Sequence, residues 1–229
     1  ASWIRRWVWA RLRSRTPSST SSCTGALLHQ CKLMVKPWNY SGSMPARVLD
    51  VCVVHQLLAD AGNVGVTAID KRPVDGAVKV GPYGLYADVQ ADRKHHGGLD
   101  KAVYAYSAED ADYWAAELGR LLPAGWFGEN LRTDGIDLSG ARVGERWRIG
   151  DALVVEVTGP RIPCQTFARR VGGDQEHGWV RRFTQAGRPG LYLRVLERGS
   201  VSAGDVIEVL ERPESGPTVA DAFGGRARV

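Results

Sequence analysis

Short runs of apolar and β-branched residues, separated by glycine, proline and aspartate, recur along the chain after residue 44. The run 48–54 has the length and composition of a strand, and Gly81-Pro82-Tyr83-Gly84 predicts a turn between strands at 77–80 and 85–89. Further strands are predicted at 146–149, 153–158, 191–196 and 206–210. Many short strands with regular turn signals favour a barrel or a sandwich over alternating β–α–β units.

Helical periodicity is clear in one segment. Apolar residues recur at helical spacing between Ala111 and Leu122, Ser107 is a suitable N-cap, and Asp110 occupies the capping-box position. A weaker helix is predicted at about 175–185, and a third short helix at 218–223. The pattern therefore predicts a mainly β fold with a few helices.

The first 43 residues differ in composition from the rest. They hold seven of the 30 basic residues and four of the eight Trp, but no acidic residue. An Arg-rich, Ser-rich and acid-poor composition is typical of an organellar transit peptide, whereas Gly42-Ser43-Met44 resembles the junction between a tag and a natural start. We interpret residues 1–43 as a non-native, tag-like or disordered leader and residues 44–213 as the folded domain. Residues 214–229 form a short tail that resembles the cut start of a helical module.

Charge and cysteine content narrow the classes of partner. The chain has a formal net charge of +5, but without residues 1–43 the acidic residues slightly outnumber the basic ones. The folded part is therefore not basic, and we expect no nucleic-acid partner.

No stretch approaches the roughly 18 consecutive apolar residues of a membrane span, so we expect no membrane partner. Cys52 and Cys164 make neither a disulfide framework nor a paired zinc motif, which is typical of a reducing, cytoplasmic setting.

Two polar clusters follow predicted strands or turns. His95 and His96 precede Gly97-Gly98 and Lys101, and the two glycines free the backbone to approach a ligand closely. The alternative for this segment is a charged turn with solvated histidines. Glu129 and Asn130 follow a glycine in an apolar setting, where a carboxylate and an amide need partners. The polar edge of a ligand and a structural hydrogen-bond clamp both satisfy that need.

The third cluster is Pro160-Arg161-Ile162-Pro163-Cys164. Two prolines stiffen this loop after a predicted strand, and Arg161 favours a thiolate at Cys164 and offers a planar fork to phosphate. A thiolate is both a nucleophile and a soft-metal ligand, although most lone cysteines are buried and inert, as we expect for Cys52. Six further arginines lie either on a solvated helix face or in an anion pocket. They are Arg169, Arg170, Arg181, Arg182, Arg188 and Arg194. The combination suits a phosphorylated cofactor that carries a soft metal.

These clusters, in this order, resemble the MOSC domain, the C-terminal module of molybdenum-cofactor sulfurases, and in particular its small stand-alone bacterial branch. The resemblance runs from about Val48 to Arg212. Five motifs carry it, at 94–106, 127–131, 143–150, 160–164 and 190–196.

The resemblance implies a mainly β, MOSC-type β-barrel with a few peripheral helices, a fold that can also be classed as α+β, and a cofactor pocket at one end. Cys164 corresponds to the family cysteine, which is proposed to bind molybdenum or to carry sulfur, and is the expected metal ligand and catalytic residue. The cofactor is expected to be the molybdenum cofactor (molybdopterin), without pyridoxal phosphate. The expected cofactor-binding residues are Arg161, His96, Gly97, Gly98, Lys101, Glu129, Asn130 and Arg194.

Members of this branch reduce N-hydroxylated compounds such as hydroxylaminopurines. The resemblance therefore implies an oxidoreductase acting in detoxification on a small N-hydroxylated substrate. Its electrons would come from a separate flavin or iron–sulfur protein, because the sequence lacks a cysteine set for a cluster. A non-catalytic carrier of molybdenum cofactor or persulfide sulfur would use the same cysteine, and the sequence leaves both functions open.

Overall fold

The structure, a computed structural model, describes residues 45–62, 64–91, 97–172 and 177–226. Its strands are β1 (Arg47–Ala59), β2 (Val66–Pro73), β3 (Val78–Gly81), β4 (Gly84–Leu85), β5 (Val103–Ser107), β6 (Leu131–Asp134), β7 (Arg146–Ile149), β8 (Leu153–Pro160), β9 (Leu191–Glu197), β10 (Gly199–Val201) and β11 (Ile207–Glu211). Its helices are α1 (Ala108–Leu118), α2 (Gln165–Gly172), α3 (Trp179–Ala186) and α4 (Val219–Arg226), with a 3-10 turn at Leu99–Lys101. The mainly β class is confirmed.

Eight strands form one sheet in the order β11-β7-β8-β9-β5-β6-β1-β2, and β10-β3-β4 form a second, small sheet. The pair β5–β6 is parallel, and the other neighbours are antiparallel. In the large sheet the long strand β1 pairs with β6 through its first half and with β2 through its second half. The same strand therefore links the body of the sheet to the β1–β2 hairpin.

The prediction of a closed barrel is wrong for the part of the chain that the structure describes. The two ends of the large sheet, β11 and β2, do not pair with each other. The sheet curves enough for the start of β1 to meet the segment before β11, where the Val48 amide donates to the Asp205 carbonyl at 2.9 Å and Arg47 forms an isolated bridge with Val206. Two more backbone bonds belong to this contact, from the Gly204 amide to the Val48 carbonyl and from the Ile207 amide to the Ala46 carbonyl, both 2.8 Å. The contact remains a bridge outside the named strands.

The core has an aliphatic part and an aromatic part. The aliphatic part lies within the sheet and includes the fully buried Ile149, Val155 and Leu193. The aromatic part packs the helices onto the sheet; it contains Tyr104, Tyr106, Trp114, Phe127, Phe167, Trp179 and Phe183. Phe167 of α2 lies in the middle of this cluster, so the aromatic packing fixes the start of α2 relative to the sheet.

The helix predictions are right in kind and shifted at their ends. Ser107 caps α1, its hydroxyl accepting from the Asp110 amide at 3.1 Å. The helix stops at Leu118 because Gly119 takes a left-handed conformation (φ 62°), and Leu122 is buried beyond the helix. The weaker helix begins only at Trp179, and α2 was not predicted.

The segment after residue 213 packs against the domain. Val219, at the start of α4, is fully buried in the aliphatic core, and Phe223 is buried with the aromatic cluster. The Val219 amide donates to the Ala141 carbonyl at 2.8 Å. That this helix begins a further module stays a prediction. None of the described helices has the length and hydropathy needed to cross a bilayer.

The predicted turn at 81–84 is confirmed, because Val80 pairs with Leu85 and Gly81 with Gly84. Gly84 has φ 104°, and a Cβ at this position would lie 2.1 Å from the Ala102 carbonyl oxygen, so only glycine fits. The strand predicted to continue to residue 89 ends at Leu85. The chain after it turns away and supplies residues 88–91 to a cavity.

Candidate functional site

A cavity of about 440 Å³ opens beside the β1–β2 hairpin. Its wall is built from β2, the 88–91 segment, the end of the 3-10 turn, the start of β5 and the loop after β8. The charged or chemically reactive residues among those lining it are Asp60, Lys71, Asp88, Lys101, Arg161 and Cys164. Small-molecule sites commonly have volumes of roughly 300–1,000 Å³. The cavity is therefore large enough for a cofactor or substrate.

Cys164 lies between the end of β8 and the first residue of α2. It is half-buried and lines the cavity, and its carbonyl accepts the Ala168 amide at 3.0 Å, so it stands at the N-terminal end of α2. Unpaired N–H groups at a helix N-terminus favour nearby negative charge. Cys52, by contrast, is fully buried in β1, and burial, reinforced by Glu129 and Asp50, raises the pKa of its thiol. Cys164 is therefore the more accessible thiol of the two.

Arg161 is buried in the cavity wall. Its guanidinium donates to the Phe127 carbonyl, and its central carbon lies 4.9 Å from the Tyr104 ring centre and 4.5 Å from that of Phe167. Stacking on two rings fixes the plane of the guanidinium. Burial raises the pKa of both Tyr104 and Tyr192 against the opposing effect of Arg161, so both phenols stay neutral beside this cation.

Lys71, Asp88 and Asn130 form a second polar group on the same wall. The Lys71 ammonium is paired with Asp88 Oδ2, which also accepts Asn130 Nδ2 at 2.7 Å. Asp88 Oδ1 accepts the Val54 amide at 3.0 Å, and Asn130 Oδ1 accepts the Tyr104 amide at 3.1 Å. These bonds connect β1, β2 and β5, and they hold Lys71 in a fixed position. Sequence reasoning missed both Lys71 and Asp88.

The Lys71 side chain is only 10% exposed. Burial lowers the pKa of the Lys71 ammonium, and the neighbouring charges of Asp88 and Glu129 oppose this effect only in part. In the sequence, Lys71 stands between Asp70 and Arg72, where three charges in a row look like a solvated strand face. No pattern within residues 66–73 distinguishes Lys71 from its charged neighbours.

Glu129 does not line the cavity but lies behind it, fully buried. Its Oε1 accepts the Gly125 amide at 2.8 Å, Arg132 Nε at 3.0 Å and Arg132 Nη2 at 2.5 Å. Of the two alternatives left by the sequence, this geometry is that of a structural clamp. Asn130, in contrast, both lines the cavity and bonds to the backbone of neighbouring strands.

The glycine-rich motif lies at the edge of the cavity. Gly98 has φ 93°, and its amide donates to Gln90 Oε1 at 2.9 Å, while Gln90 itself lines the cavity. Gly97 and Gly98 are not among the lining residues, but Lys101 is, with its ammonium 5.9 Å from the Tyr192 ring centre. His96 lies outside the described residues.

Arg194 and most of the other predicted arginines are engaged elsewhere. Arg194 on β9 pairs with Asp100 and Glu156 and does not line the cavity. The remaining pairs each join two elements; they are Arg169–Asp60, Arg170–Asp70, Arg182–Glu117 and Arg188–Asp110. The first two fasten α2 to the β1–β2 hairpin. Arg169 and Arg170 therefore hold two walls of the cavity together, whereas the other pairs lie outside its lining.

The side chains around the cavity limit the kind of metal that it can hold. Within the described residues, no group of three or more His, Cys, Asp or Glu side chains lies close enough to hold a metal ion. A single thiol suits a soft metal whose other ligands come from an organic cofactor, and Lys101 and Arg161 suit the negative charge of a phosphate. The residues present therefore fit a phosphate-bearing metal cofactor.

Comparison with known proteins agrees with these features. The sequence model of the MOSC domain matches residues 92–208, and the chain belongs to this family. This confirms the resemblance carried by the five motifs.

Its relatives include the uncharacterized protein YflK of Bacillus subtilis (strain 168), which is 40% identical over 153 residues, covering 67% of each chain. A reductase of Gibberella moniliformis (strain M3125 / FGSC 7600) is 33% identical over 150 residues, which cover 64% of this chain but only 26% of the reductase. Among solved structures, YiiM from Geobacillus stearothermophilus superposes with a TM-score of 0.63 at 29% identity, covering 78% of this chain and 82% of that one.

Proposed function

We propose that this protein is a molybdenum-cofactor-dependent oxidoreductase that reduces small N-hydroxylated compounds, with Cys164 as the protein ligand of the metal. One observation carries the proposal: the half-buried thiol of Cys164 lines a cavity of ligand size beside a buried, stacked arginine, in a chain of the MOSC family. The name of the reductase from Gibberella supports redox chemistry, although the chain matches only 26% of that protein.

Each residue near the cofactor has a distinct task in this proposal. Cys164 provides the soft sulfur ligand, and Arg161 and Lys101 provide positive charge for the phosphate. Because Arg161 is stacked on Tyr104 and Phe167, its donors are already oriented before the cofactor arrives. The bound cofactor supplies two-electron chemistry at the metal.

The rest of the cavity wall receives the substrate. The neutral phenol rings of Tyr104 and Tyr192 and the side chains of Val66 and Val89 give the cavity an apolar lining. Asn130 and the Lys71–Asp88 pair provide polar groups on the same wall. Such a mixture suits a flat heteroaromatic base with one polar, N-hydroxylated edge. Electrons come from a separate flavin or iron–sulfur protein in this scheme.

The test is turnover by cofactor-loaded protein. Purified protein from a host that makes molybdenum cofactor is mixed with a hydroxylaminopurine and a chemically reduced viologen as electron donor, and the aminopurine product is measured. Product formation that Cys164→Ser abolishes is expected. A loaded protein that forms no product but accepts sulfur on Cys164 from a persulfide donor would instead support the carrier function.

A further inference from the structure

Lys71 is a buried cation on the substrate wall of the cavity, and the role assigned above uses its polarity but not its proton. A lysine ammonium has three N–H donors. Among the described residues its hydrogen-bond partner is Asp88, and the side chain is only 10% exposed on the wall of the cavity. The two donors that do not face Asp88 are therefore available to a molecule bound in the cavity.

The surroundings of Lys71 fix its position without consuming its proton. Asp88 is held by the Val54 amide and by Asn130, so the carboxylate is anchored and orients the ammonium. The other ionisable groups that act on Lys71 are Glu129 and Cys52. Glu129 is bound to Arg132, and Cys52 is buried as a thiol, so neither is placed to receive a proton from Lys71.

We infer that Lys71 is the proton donor for cleavage of the substrate's N–O bond, with Asp88 as its positioning residue. The inference rests on the proposed function. In the overall reaction, R–NH–OH takes up two electrons and two protons and gives R–NH₂ and water. Both electrons come from the reduced metal cofactor, itself reduced by the electron-donor protein.

In this step the N–O bond breaks as the electron pair enters it. The hydroxyl oxygen takes the proton of the Lys71 ammonium and leaves as water, and the nitrogen takes the second proton from solvent. Lys71 is then reprotonated from solvent through the open side of the cavity. Because a hydroxide ion is a poor leaving group, protonation at this oxygen lowers the barrier to cleavage.

A proton donor at Lys71 makes turnover depend on pH in one direction. Lys71 must be protonated to act, and its burial lowers its pKa from that of an ordinary lysine. The turnover number kcat is therefore expected to fall as the pH rises through the pKa of Lys71 in the folded protein. Without Lys71 this alkaline fall disappears, whereas the pH dependence of cofactor binding is unaffected.

The experiment compares cofactor-loaded wild type, Lys71→Ala, Lys71→Arg and a control, Lys79→Ala, which changes an exposed lysine on β3. For each protein, kcat and KM for a hydroxylaminopurine are measured from pH 6 to pH 10 with reduced viologen, together with the molybdenum content. We expect Lys71→Ala to lower kcat at least about 100-fold, the usual size of a general-acid effect, with KM and molybdenum content nearly unchanged. Added methylammonium should restore part of kcat in Lys71→Ala.

Lys71→Arg keeps the test valid if Lys71→Ala does not fold. Arginine keeps the positive charge opposite Asp88 but does not release its proton at these pH values. Low kcat in Lys71→Arg with full molybdenum content supports the inference. If the wild type turns over and either Lys71 variant keeps the wild-type kcat and its fall at alkaline pH, the role of Lys71 as proton donor is overturned. The proposed function is left intact by that result. Loaded wild type without any turnover would overturn both.

Discussion

Breaking the buried Glu129–Arg132 pair is predicted to destabilise the protein strongly, and Glu129→Gln tests this. Glu129 is fully buried, the Arg132 side chain is 8% exposed, and one carboxylate oxygen accepts two bonds from Arg132 and one from Gly125. Removing one partner of a buried ion pair leaves an uncompensated charge and costs about 3–5 kcal/mol. Glutamine keeps the shape and can still accept the Gly125 amide, so we expect a loss of about 3 kcal/mol.

The assay is urea unfolding at pH 7 followed by tryptophan fluorescence, with thermal unfolding beside it. For a domain of this size, a loss of about 3 kcal/mol corresponds to a fall in Tm of roughly 6–12 °C. The matched control is Glu117→Gln, which breaks an exposed pair with Arg182 (2.8 Å, both side chains 44% exposed) and should cost less than about 1 kcal/mol. A Glu129→Gln variant no less stable than this control would refute the reasoning.

Three further predictions concern Arg161, the Asp60–Arg169 pair and Gly84. Arg161→Lys keeps the charge but loses the planar fork and its ring stacking, so we expect reduced molybdenum content and a loss of about 1–3 kcal/mol in urea unfolding; unchanged values for both would show that the fork is dispensable. Burial alone would raise the pKa of Asp60, but bonds from Arg169 and its neighbours outweigh burial and lower that pKa. The stability that this pair contributes is lost as the pH falls through the pKa of Asp60 in the folded protein. Asp60→Asn should therefore be less stable than the wild type at pH 6 and lose less stability than the wild type between pH 5 and pH 2. Parallel curves of stability against pH for the two proteins would contradict this. Gly84→Ala should destabilise by more than about 3 kcal/mol because its Cβ would meet a backbone carbonyl at 2.1 Å, whereas Gly76→Ala (φ 79°, with nothing within 4 Å) should cost about 1 kcal/mol; equal losses would refute the steric argument.

The sequence predicted most of the strands that have uninterrupted apolar or alternating patterns, but not β5 (Val103–Ser107). Residues 146–149 form β7 at the predicted bounds, and 153–158 and 191–196 lie within β8 and β9. It missed β2 (Val66–Pro73) and β6 (Leu131–Asp134), because charged residues interrupt both. Their charges are compensated by partners distant in the chain, such as Arg170 for Asp70. Local patterns do not contain that information.

The candidate site was partly predictable. Cys164, Arg161, Lys101 and Asn130 were identified as site residues and do line one cavity, because the motifs that carry them lie in loops and strand ends. Arg194 looked similar in sequence but is taken up by Asp100 and Glu156 on the sheet surface. Which arginine lines the cavity and which forms ion pairs on the sheet depends on long-range contacts. The prediction of a closed barrel failed for a similar reason, because the pairing of the sheet's end strands is also a long-range contact.

The most direct test of the central claim is the molybdenum and pterin content per chain after expression in a host with a verified supply of the cofactor. Wild type, Cys164→Ser and Cys52→Ala are compared, because Cys52 is the matched thiol that is buried in β1 and does not line the cavity. We predict near-stoichiometric molybdenum in wild type and Cys52→Ala and almost none in Cys164→Ser, with all three proteins folded. Equal molybdenum in Cys164→Ser and wild type, or none in any of the three, would contradict the assignment of Cys164 as the metal ligand.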